Sequence, residues 1–463
     1  MNKSFPAATA GVLMALLLSP TIAVAAISEA EVQAAKNTLK DSIAIPTVEG
    51  RGRVPEMATY YANKLISAGF AKEDIIITPV GETATLAATL HGRESTSPPI
   101  LVLGHMDVVE ADPADWERDP FTAIEEAGYI FGRGSVDNKF DVAMAITILA
   151  KLKQEGYRPR QDVILLLSGD EETGMGTTRT LAEQYRGAEL ALNSDGGGGT
   201  LGEDDKAQYY MVQAAEKTYM DFKLEFTNPG GHSSRPSKTN AITQMANALA
   251  RLGAYDFEPQ FSELTKASLL GVAGQADPEI GAALQRIVED PNDAEALAMI
   301  RNDPEYVGQI GTTCVATMLD AGHATNALPQ RATANINCRV FPGVTVEQIV
   351  AELNRVLADP AGKLSVKNQP SISPASPLRE DLMEAVTQAV YASHPDLTIF
   401  PGMSAYATDS MHFRAAGIPC YGASGLFMKA SDDFTHGLNE RVPVSAIAVA
   451  LKHWDVLLRT MTK

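Results

Sequence analysis

Cysteine is scarce in this 463-residue chain, which has only Cys314, Cys338 and Cys420. So few exclude a disulfide-built fold, and a chain of this length buries enough core to need none. At most one bridge can close within the chain. Cys314 and Cys338 fall in strand-like runs that could pair, but the expected state of all three is that of small buried hydrophobes. Basic residues are also short, with 38 Lys and Arg against 57 Asp and Glu and a formal net charge of -19. That deficit argues against nucleic acid and anionic membrane surfaces as partners, since both need a lysine- and arginine-rich face. After the N-terminal segment no apolar run reaches the ~20 residues that span a bilayer. Several catalytic signatures are missing too: there is no G-x-S-x-G elbow, H-E-x-x-H helix, P-loop or C-x-x-C. A G-x-G-x-x-G match at Gly197 to Gly202 runs into Glu203, Asp204 and Asp205, carboxylates where a pyrophosphate would sit. Its glycines instead let the backbone turn tightly beside Asp195.

What is present begins with a leader. Lys3, the apolar stretch Ala7 to Leu18 and the small-residue pattern Ala23-Val24-Ala25 read as a secretory signal peptide over residues 1-25. The mature chain is therefore expected to be secreted or periplasmic and free of the membrane. From Ile100 onward apolar runs alternate with glycine-rich or polar turns and helical stretches, the punctuation of an α/β fold. ILVLG ends in His105-Met106-Asp107, VILLLS ends in Gly169-Asp170-Glu171-Glu172, and ELALNS ends in Asp195. Runs this apolar read as strands covered on both faces of a mostly parallel sheet.

Near residue 214 the pattern changes. Met220, Phe222, Leu224 and Phe226 alternate with polar residues, as do Ala332, Ala334, Ile336, Cys338 and Val340, so these are half-buried strands. Two amphipathic helices accompany them, one expected to turn Ile242, Met245, Leu249 and Leu252 inward, the other Val346, Ile349, Val350, Leu353 and Leu357. The expected organisation is a catalytic domain over 26-213 and 372-463, interrupted by a smaller α+β domain over 214-371. An acidic, helix-leaning segment at about 255-310 has no chemical role in this reading.

The chemistry-bearing residues collect at strand ends: His105, Asp107, Asp137, Glu171, Glu172, Asp195 and His436. Each alone has an ordinary explanation, Asp137 as a helix cap, Glu171 and Glu172 as a solvated loop, His436 as a surface histidine. Together on one rim the carboxylates repel unless cations neutralise them. Imidazole with carboxylate is ligand chemistry for zinc, and also for manganese or cobalt. Five ligands with one shared carboxylate suit two metals, which can activate water and polarise a carbonyl. Neighbours such as Glu171 and Glu172 cannot both point at one ion, so one ligates and the other is free as general base.

The sequence resembles a known family in eight blocks in order: GHMDVV from Gly104, WERDPF from Trp116, GRGSVDNK from Gly132, GDEETG from Gly169, NSDGG from Asn193, GGHSSRP from Gly230, NINCRVFPG from Asn335 and HGLNE from His436. They are similar to those of the two-metal amidohydrolases, which include aminoacylase, carboxypeptidase G, carnosinase-type dipeptidases, acetylornithine deacetylase and succinyl-diaminopimelate desuccinylase. The resemblance implies a catalytic α/β domain with an inserted ferredoxin-like lid or dimerisation domain, and two zinc ions per subunit. It implies His105 and Asp195 on one metal, Glu172 and His436 on the other, and Asp137 bridging. Asp107 would support the site and Glu171 would be the general base. His232 would stabilise the oxyanion, supplied by the partner subunit in dimeric relatives. Arg339, with Asn326 and Gly425, would hold the substrate's free carboxylate.

The implied substrate is a dipeptide or short peptide with a free C-terminal carboxylate, since Asp at 195 resembles the dipeptidase and aminopeptidase branch. The aliphatic flank of GHMDVV and the acidic triplet resemble instead the carboxypeptidases and N-acyl-amino-acid hydrolases. An extracytoplasmic solute-binding protein is the rival class, and it leaves the clustered carboxylates unexplained. The remaining histidines, His91, His323, His394, His412 and His453, match no block and are assigned to structure or surface.

Overall fold

A computed structural model of the protein describes residues 26-463 apart from 95, 305 and 368-369, so the leader expected over residues 1-25 lies outside the described residues. Among the described residues, ten strands form one large sheet. At its centre the strand Ile100–His105 runs parallel to both Val163–Ser168 and Leu190–Asn193, and Cys420–Gly422 runs parallel to Leu190–Asn193 in turn. Antiparallel strands Ile75–Val80 and Thr83–Leu90 extend one edge.

The apolar runs behave as expected. Ile100 and Val102 enter the core beneath the helices Glu29–Ile43, Lys139–Gln154 and Ala446–Met461, while Leu101 and Leu103 enter a second core on the opposite face. Burying each such leucine contributes about 2 kcal/mol, so a strand apolar on both faces is stable only in the middle of a covered sheet.

The second sheet has four antiparallel strands in the order Thr313–Ala321, Arg331–Val340, Thr218–Thr227, Lys363–Val366. With the helices Ala241–Gly253 and Val346–Leu357 it follows the β-α-β-β-α-β ferredoxin-like order. Phe222, Phe226, Ile336, Met245 and Leu353 form its separate core. A single residue, Lys217, joins the first-sheet strand Ala207–Glu216 to the second-sheet strand Thr218–Thr227.

Two expectations are corrected. Ile242 is 45% exposed, whereas Met245 and Leu252 are buried as expected, Leu249 packs on the core, and Ala241 and Ala248 complete the inward face. Cys314 and Cys338 are not independent small hydrophobes but form a disulfide, with only Cys420 left as a buried free thiol. The reason is register. The antiparallel pairing sets Cys314 directly opposite Cys338 with their Cα atoms 4.1 Å apart, well inside the ~7 Å beyond which two cysteines cannot be bridged.

The acidic segment folds as three helices, Glu263–Ala273, Pro278–Glu289 and Ala294–Arg301. They share a small core of their own. The first leans on the large sheet, with Gly271 so close to the Phe400 ring that a Cβ would fall 2.3 Å from it.

Candidate active site

The site grows out of the parallel strands. His105 closes its strand, Glu171 and Glu172 follow the neighbouring one, and Asp195 follows the other neighbour. Parallel neighbours end on the same side, so these groups share one rim. Loops bring the other two: Asp137 precedes the helix Lys139–Gln154, and His436 precedes the short strand Arg441–Pro443. The helix itself starts from Asn138 with no side-chain cap. Asp137 is thus free of capping, and its carboxylate lies between two imidazoles, Oδ1 2.8 Å from His105 Nε2 and Oδ2 3.1 Å from His436 Nε2.

Two ligand triads result, His105 with Asp137 and Asp195, and Asp137 with Glu172 and His436, each with its ligand atoms within 4.8 Å of one another. They share Asp137. His105, Glu171 and Glu172 meet the same limit, but His436 Nε2 is 3.1 Å from both oxygens of Glu172, which points to Glu172 as the ligand of the pair. Asp107 fixes this division from below. Its two carboxylate oxygens accept the backbone N–H groups of Glu171 at 3.1 Å and Glu172 at 3.0 Å. The Asp107 carbonyl oxygen sits 3.0 Å from His105 Nδ1, leaving Nε2 toward the cluster.

The electrostatics show what the cluster lacks. Burial pushes the carboxyl of Glu171 well above its ordinary range, offset by His105 and reinforced by Asp195. Asp195 is also raised well above that range, by burial and then by Asp137. Burial raises Glu172 too, despite its hydrogen bond to His436. Asp137 is the exception: burial pushes it upward, but hydrogen bonds to His105 and His436 win and hold it below the carboxylate range. The same bonds raise His436 to about 10, Asp137 contributing first and Glu172 second. Carboxylates crowded until some resist ionising, beside imidazoles, form a donor set that divalent cations relieve. The residues present therefore fit two metal ions bridged by Asp137.

Residues outside the expected set hold the cluster in place. Glu440, buried at the end of the HGLNE block, receives Arg133 Nη1 at 2.6 Å and the backbone N–H groups of Gly134, Val136 and Asp137 at 3.0, 2.8 and 3.2 Å. It shapes the loop that presents Asp137. Asn193 Oδ1 accepts the Asp195 N–H at 3.0 Å, while its amide donates to Thr408 and Ser410. Asp409, buried behind the cluster, accepts from Ser168 at 2.7 Å and from Thr178. Glu440, Arg133 and Asn193 sit inside the recognised blocks, so adjacency to ligands was the available signal. Asp409 carried none.

Asp137, Glu171, Glu172, Asp195 and His436 line a cavity of about 600 Å³. The expected substrate residues are less uniform. Arg339 Nη1 donates to the Ala405 carbonyl at 3.3 Å and its guanidinium lies over Tyr219; the next residue, Tyr406, lines the cavity. His232 and Asn326 are exposed on a two-stranded ribbon, where the Ser233 N–H donates to the Asn326 carbonyl at 3.0 Å. Among the side chains of the described residues, His232 has a hydrogen-bond partner only in Ser234. Gly425 donates its N–H to Asp141 at 3.2 Å, and a Cβ there would meet Ala450 at 2.7 Å. Its neighbours Ser424 and Leu426 line the cavity, whereas Gly425 is needed for helix packing. Lys217 was not anticipated. It is fully buried near Arg339, burial first and Arg339 second push its ammonium down to about 7, and its hydroxyl partner is Thr313 at 3.4 Å.

A parallel sheet whose strand ends gather two carboxylate and imidazole triads around one shared aspartate defines a metal-dependent amide hydrolase. The chain belongs to peptidase family M20/M25/M40, whose model matches residues 101–460. It is 29% identical over 447 residues to the N-fatty-acyl-amino acid synthase/hydrolase PM20D1 of Homo sapiens, covering 92% of this chain and 87% of that protein. Among solved structures it resembles the M20 family metallo-carboxypeptidase Sso-CP2 from Sulfolobus solfataricus, with a TM-score of 0.69 at 19% identity over 92% of this chain and 98% of that one. It also resembles the YXEP protein of Bacillus subtilis, described as a dinuclear metal binding peptidase from M20 family, with a TM-score of 0.60 at 15% identity over 94% and 99% of the two chains.

Proposed function

We propose that this protein hydrolyses the amide bond of N-acyl amino acids with a free carboxylate, using two divalent cations, zinc first and cobalt or manganese as substitutes. The observation that carries the reading is the pair of triads sharing Asp137 at the floor of the cavity. His105 and Asp195 would hold one cation and Glu172 and His436 the other, with Asp137 shared between the two sets. When bound, such ions polarise a carbonyl and make water nucleophilic at neutral pH.

The chain's own residues do the rest. Glu171, buried and not the preferred ligand, takes the proton of the attacking water on a carboxylate oxygen and returns it to the amide nitrogen as the C–N bond breaks. Its raised proton affinity suits a group that must hold a proton between these steps. Arg339 grips the leaving amino acid's carboxylate through its planar fork, with Asn326 beside it. His232 donates a hydrogen bond to the oxyanion that forms when the carbonyl is attacked.

Two further features support the setting. The edge strand Thr313–Ala321 exposes Val315, Met318 and Leu319 at 59, 67 and 62%, next to the exposed Ile242. An uncovered apolar edge invites pairing with a second copy, so a homodimer through this sheet is the proposed assembly. The Cys314 to Cys338 disulfide, together with the leader sequence, supports a secreted or periplasmic location.

A dipeptidase is the second reading, favoured by Asp at 195. Beyond the cluster the cavity wall includes Tyr209, Leu426 and Met428, which suit an acyl group, together with the charged Lys429 and Asp433. Metal-loaded enzyme assayed in parallel on N-acyl amino acids, the same compounds with amidated carboxylates, and free dipeptides tests the proposal. Turnover of the free N-acyl amino acids above the other two is expected. Equal rates on amidated substrates overturn the role of Arg339, and preference for free dipeptides overturns the acyl reading.

A further inference from the structure

Behind the cluster runs a buried chain of hydrogen bonds that begins on an ion pair and ends on Asp195. Glu216 closes the strand Ala207–Glu216, and its Oε2 accepts from Arg414 Nη1 at 2.9 Å, with both side chains almost wholly buried. Its Oε1 accepts the hydroxyl proton of Thr408. Thr408 Oγ1 in turn accepts from Asn193 Nδ2 at 3.0 Å and from the Ser410 backbone N–H at 3.1 Å. At the other end of the same amide, Asn193 Oδ1 accepts the Asp195 N–H at 3.0 Å. Neither Glu216 nor Arg414 lines the cavity.

Proton counting fixes the direction of every bond in this chain. A hydroxyl has one proton and two lone pairs, and Thr408 uses all three. The Ser410 N–H can only donate, so it occupies one lone pair. Burial raises the Glu216 carboxyl, opposed first by the Arg414 charge and then by the Thr408 hydroxyl. A guanidinium keeps its proton, so its partner stays a carboxylate that only accepts, and the Thr408 proton must point at it. The remaining lone pair admits only a donor, which turns the Nδ2 end of Asn193 toward Thr408 and leaves Oδ1 for Asp195. The second partner of Nδ2, Ser410 Oγ at 2.8 Å, is a hydroxyl that could donate or accept and so does not choose between the two ends.

We propose that Glu216 is a positioning residue for the cation of His105 and Asp195: through Thr408 it sets which end of the Asn193 amide faces Asp195. The inference rests on the two-metal reading above and goes beyond it, since it gives one cation of the pair a support that the other lacks. Glu172 and His436 are held otherwise, by Asp107 and by each other. Glu216→Gln keeps the shape and reverses the chain. Arg414 demands an acceptor, so the new amide turns its oxygen to Arg414 and its N–H to Thr408. Thr408 must then point its own proton at Asn193, whose amide flips and sets Nδ2 against the Asp195 N–H, donor facing donor, a buried bond left unmade.

The test is zinc titration of metal-stripped enzyme against a chromophoric chelator, for wild type, Glu216→Gln, Thr408→Val and Thr408→Ser. Wild type is expected to take up two ions. Glu216→Gln and Thr408→Val are expected to weaken one of them by about tenfold to a hundredfold, the scale of losing a group that orients a metal ligand, and to leave the other unchanged. Thr408→Ser keeps the hydroxyl and should bind both ions as wild type does. Backgrounds with one ion removed identify the site: Glu216→Gln should weaken the remaining ion in His436→Ala and leave it unchanged in Asp195→Ala. Where breaking the buried ion pair unfolds Glu216→Gln, the two Thr408 variants carry the comparison, with Thr408→Val made in the same two backgrounds.

The proposal is overturned by wild-type binding of both ions in folded Thr408→Val, by equal weakening of both, by a Thr408→Ser loss as large as that of Thr408→Val, or by an effect that persists in Asp195→Ala. Each of these leaves the two-metal reading intact. Uptake of fewer than two ions by the wild type overturns that reading and the proposal with it.

Discussion

The two sheets treat their polar residues in opposite ways. On the large sheet the cluster is cross-braced and, apart from the exposed His436, at least partly buried: Asp107 holds the Glu171–Glu172 backbone, Glu440 and Arg133 hold the Asp137 loop, and Asn193 holds Asp195. On the smaller domain His232 and Asn326 stand in solvent, and Arg339 reaches across to a single carbonyl of the first domain. One half is preorganised by the chain itself; in the proposed function the other would acquire its partners from the substrate or from a second copy. Preorganisation is costly in crowded charge and is concentrated where transition-state charge develops; binding groups can remain mobile.

That contrast can be broken most severely at Glu171. Glu171→Gln is expected to lower kcat by about a thousandfold, the scale of a lost general base, while metal content measured by atomic emission stays at the wild-type level. Loss of metal instead would make Glu171 a ligand. The smaller domain can be weakened alone: replacing Cys314 and Cys338 by Ser removes a bridge spanning 24 residues and is expected to cost about 3 kcal/mol in denaturant melts, with the large sheet unfolding at its usual midpoint.

The large domain can be weakened alone by acid. His453 is buried in the C-terminal helix, and burial pushes it down to about 4 from 6.5, against a hydrogen bond to the Ala423 carbonyl. A histidine kept neutral in the fold binds its proton more readily when unfolded, so stability falls as pH drops from about 6.5 to about 4. The loss is on the order of 2 kcal/mol, and His453→Gln is expected to flatten that part of a melting-temperature profile. Arg339→Ala should reduce kcat/KM by about thirtyfold on free-carboxylate substrates and leave amidated ones unaffected, as for loss of a charge-assisted pair. The smallest effect is at the exposed edge: Met318→Lys is expected to shift sedimentation toward monomer with little change in melting temperature, since it disturbs no core.

The large sheet was legible because its signals are local. A two-sided apolar run such as ILVLG can only be a covered strand, and the residues just past its end must lie on the rim, so His105, Glu171, Glu172 and Asp195 could be grouped from the chain alone. Partners set by register or by long-range approach were not legible. Cys314 meets Cys338 only because two strands pair in one of several registers, and Asp409 reaches Ser168 and Thr178 across more than 200 residues. The segment 263–301 looked like acidic filler because what places it, the close approach of Gly271 to Phe400, is a long-range contact. Ile242 went wrong for a smaller reason: it stands at the edge of the inward stripe, where the small Ala241 takes the buried place at the start of the helix.

The ribbon that carries His232 and Asn326 has one further consequence. Its strands pair His232 with Ala327, and the Ser233 N–H donates to the Asn326 carbonyl, so the two residues sit on one backbone unit. In the proposed reaction, oxyanion donor and carboxylate contact would therefore arrive together and favour a whole substrate over a fragment. Thermodynamically this is coupling, and a double-mutant cycle on His232→Ala and Asn326→Ala should give a combined loss well short of the sum of the two.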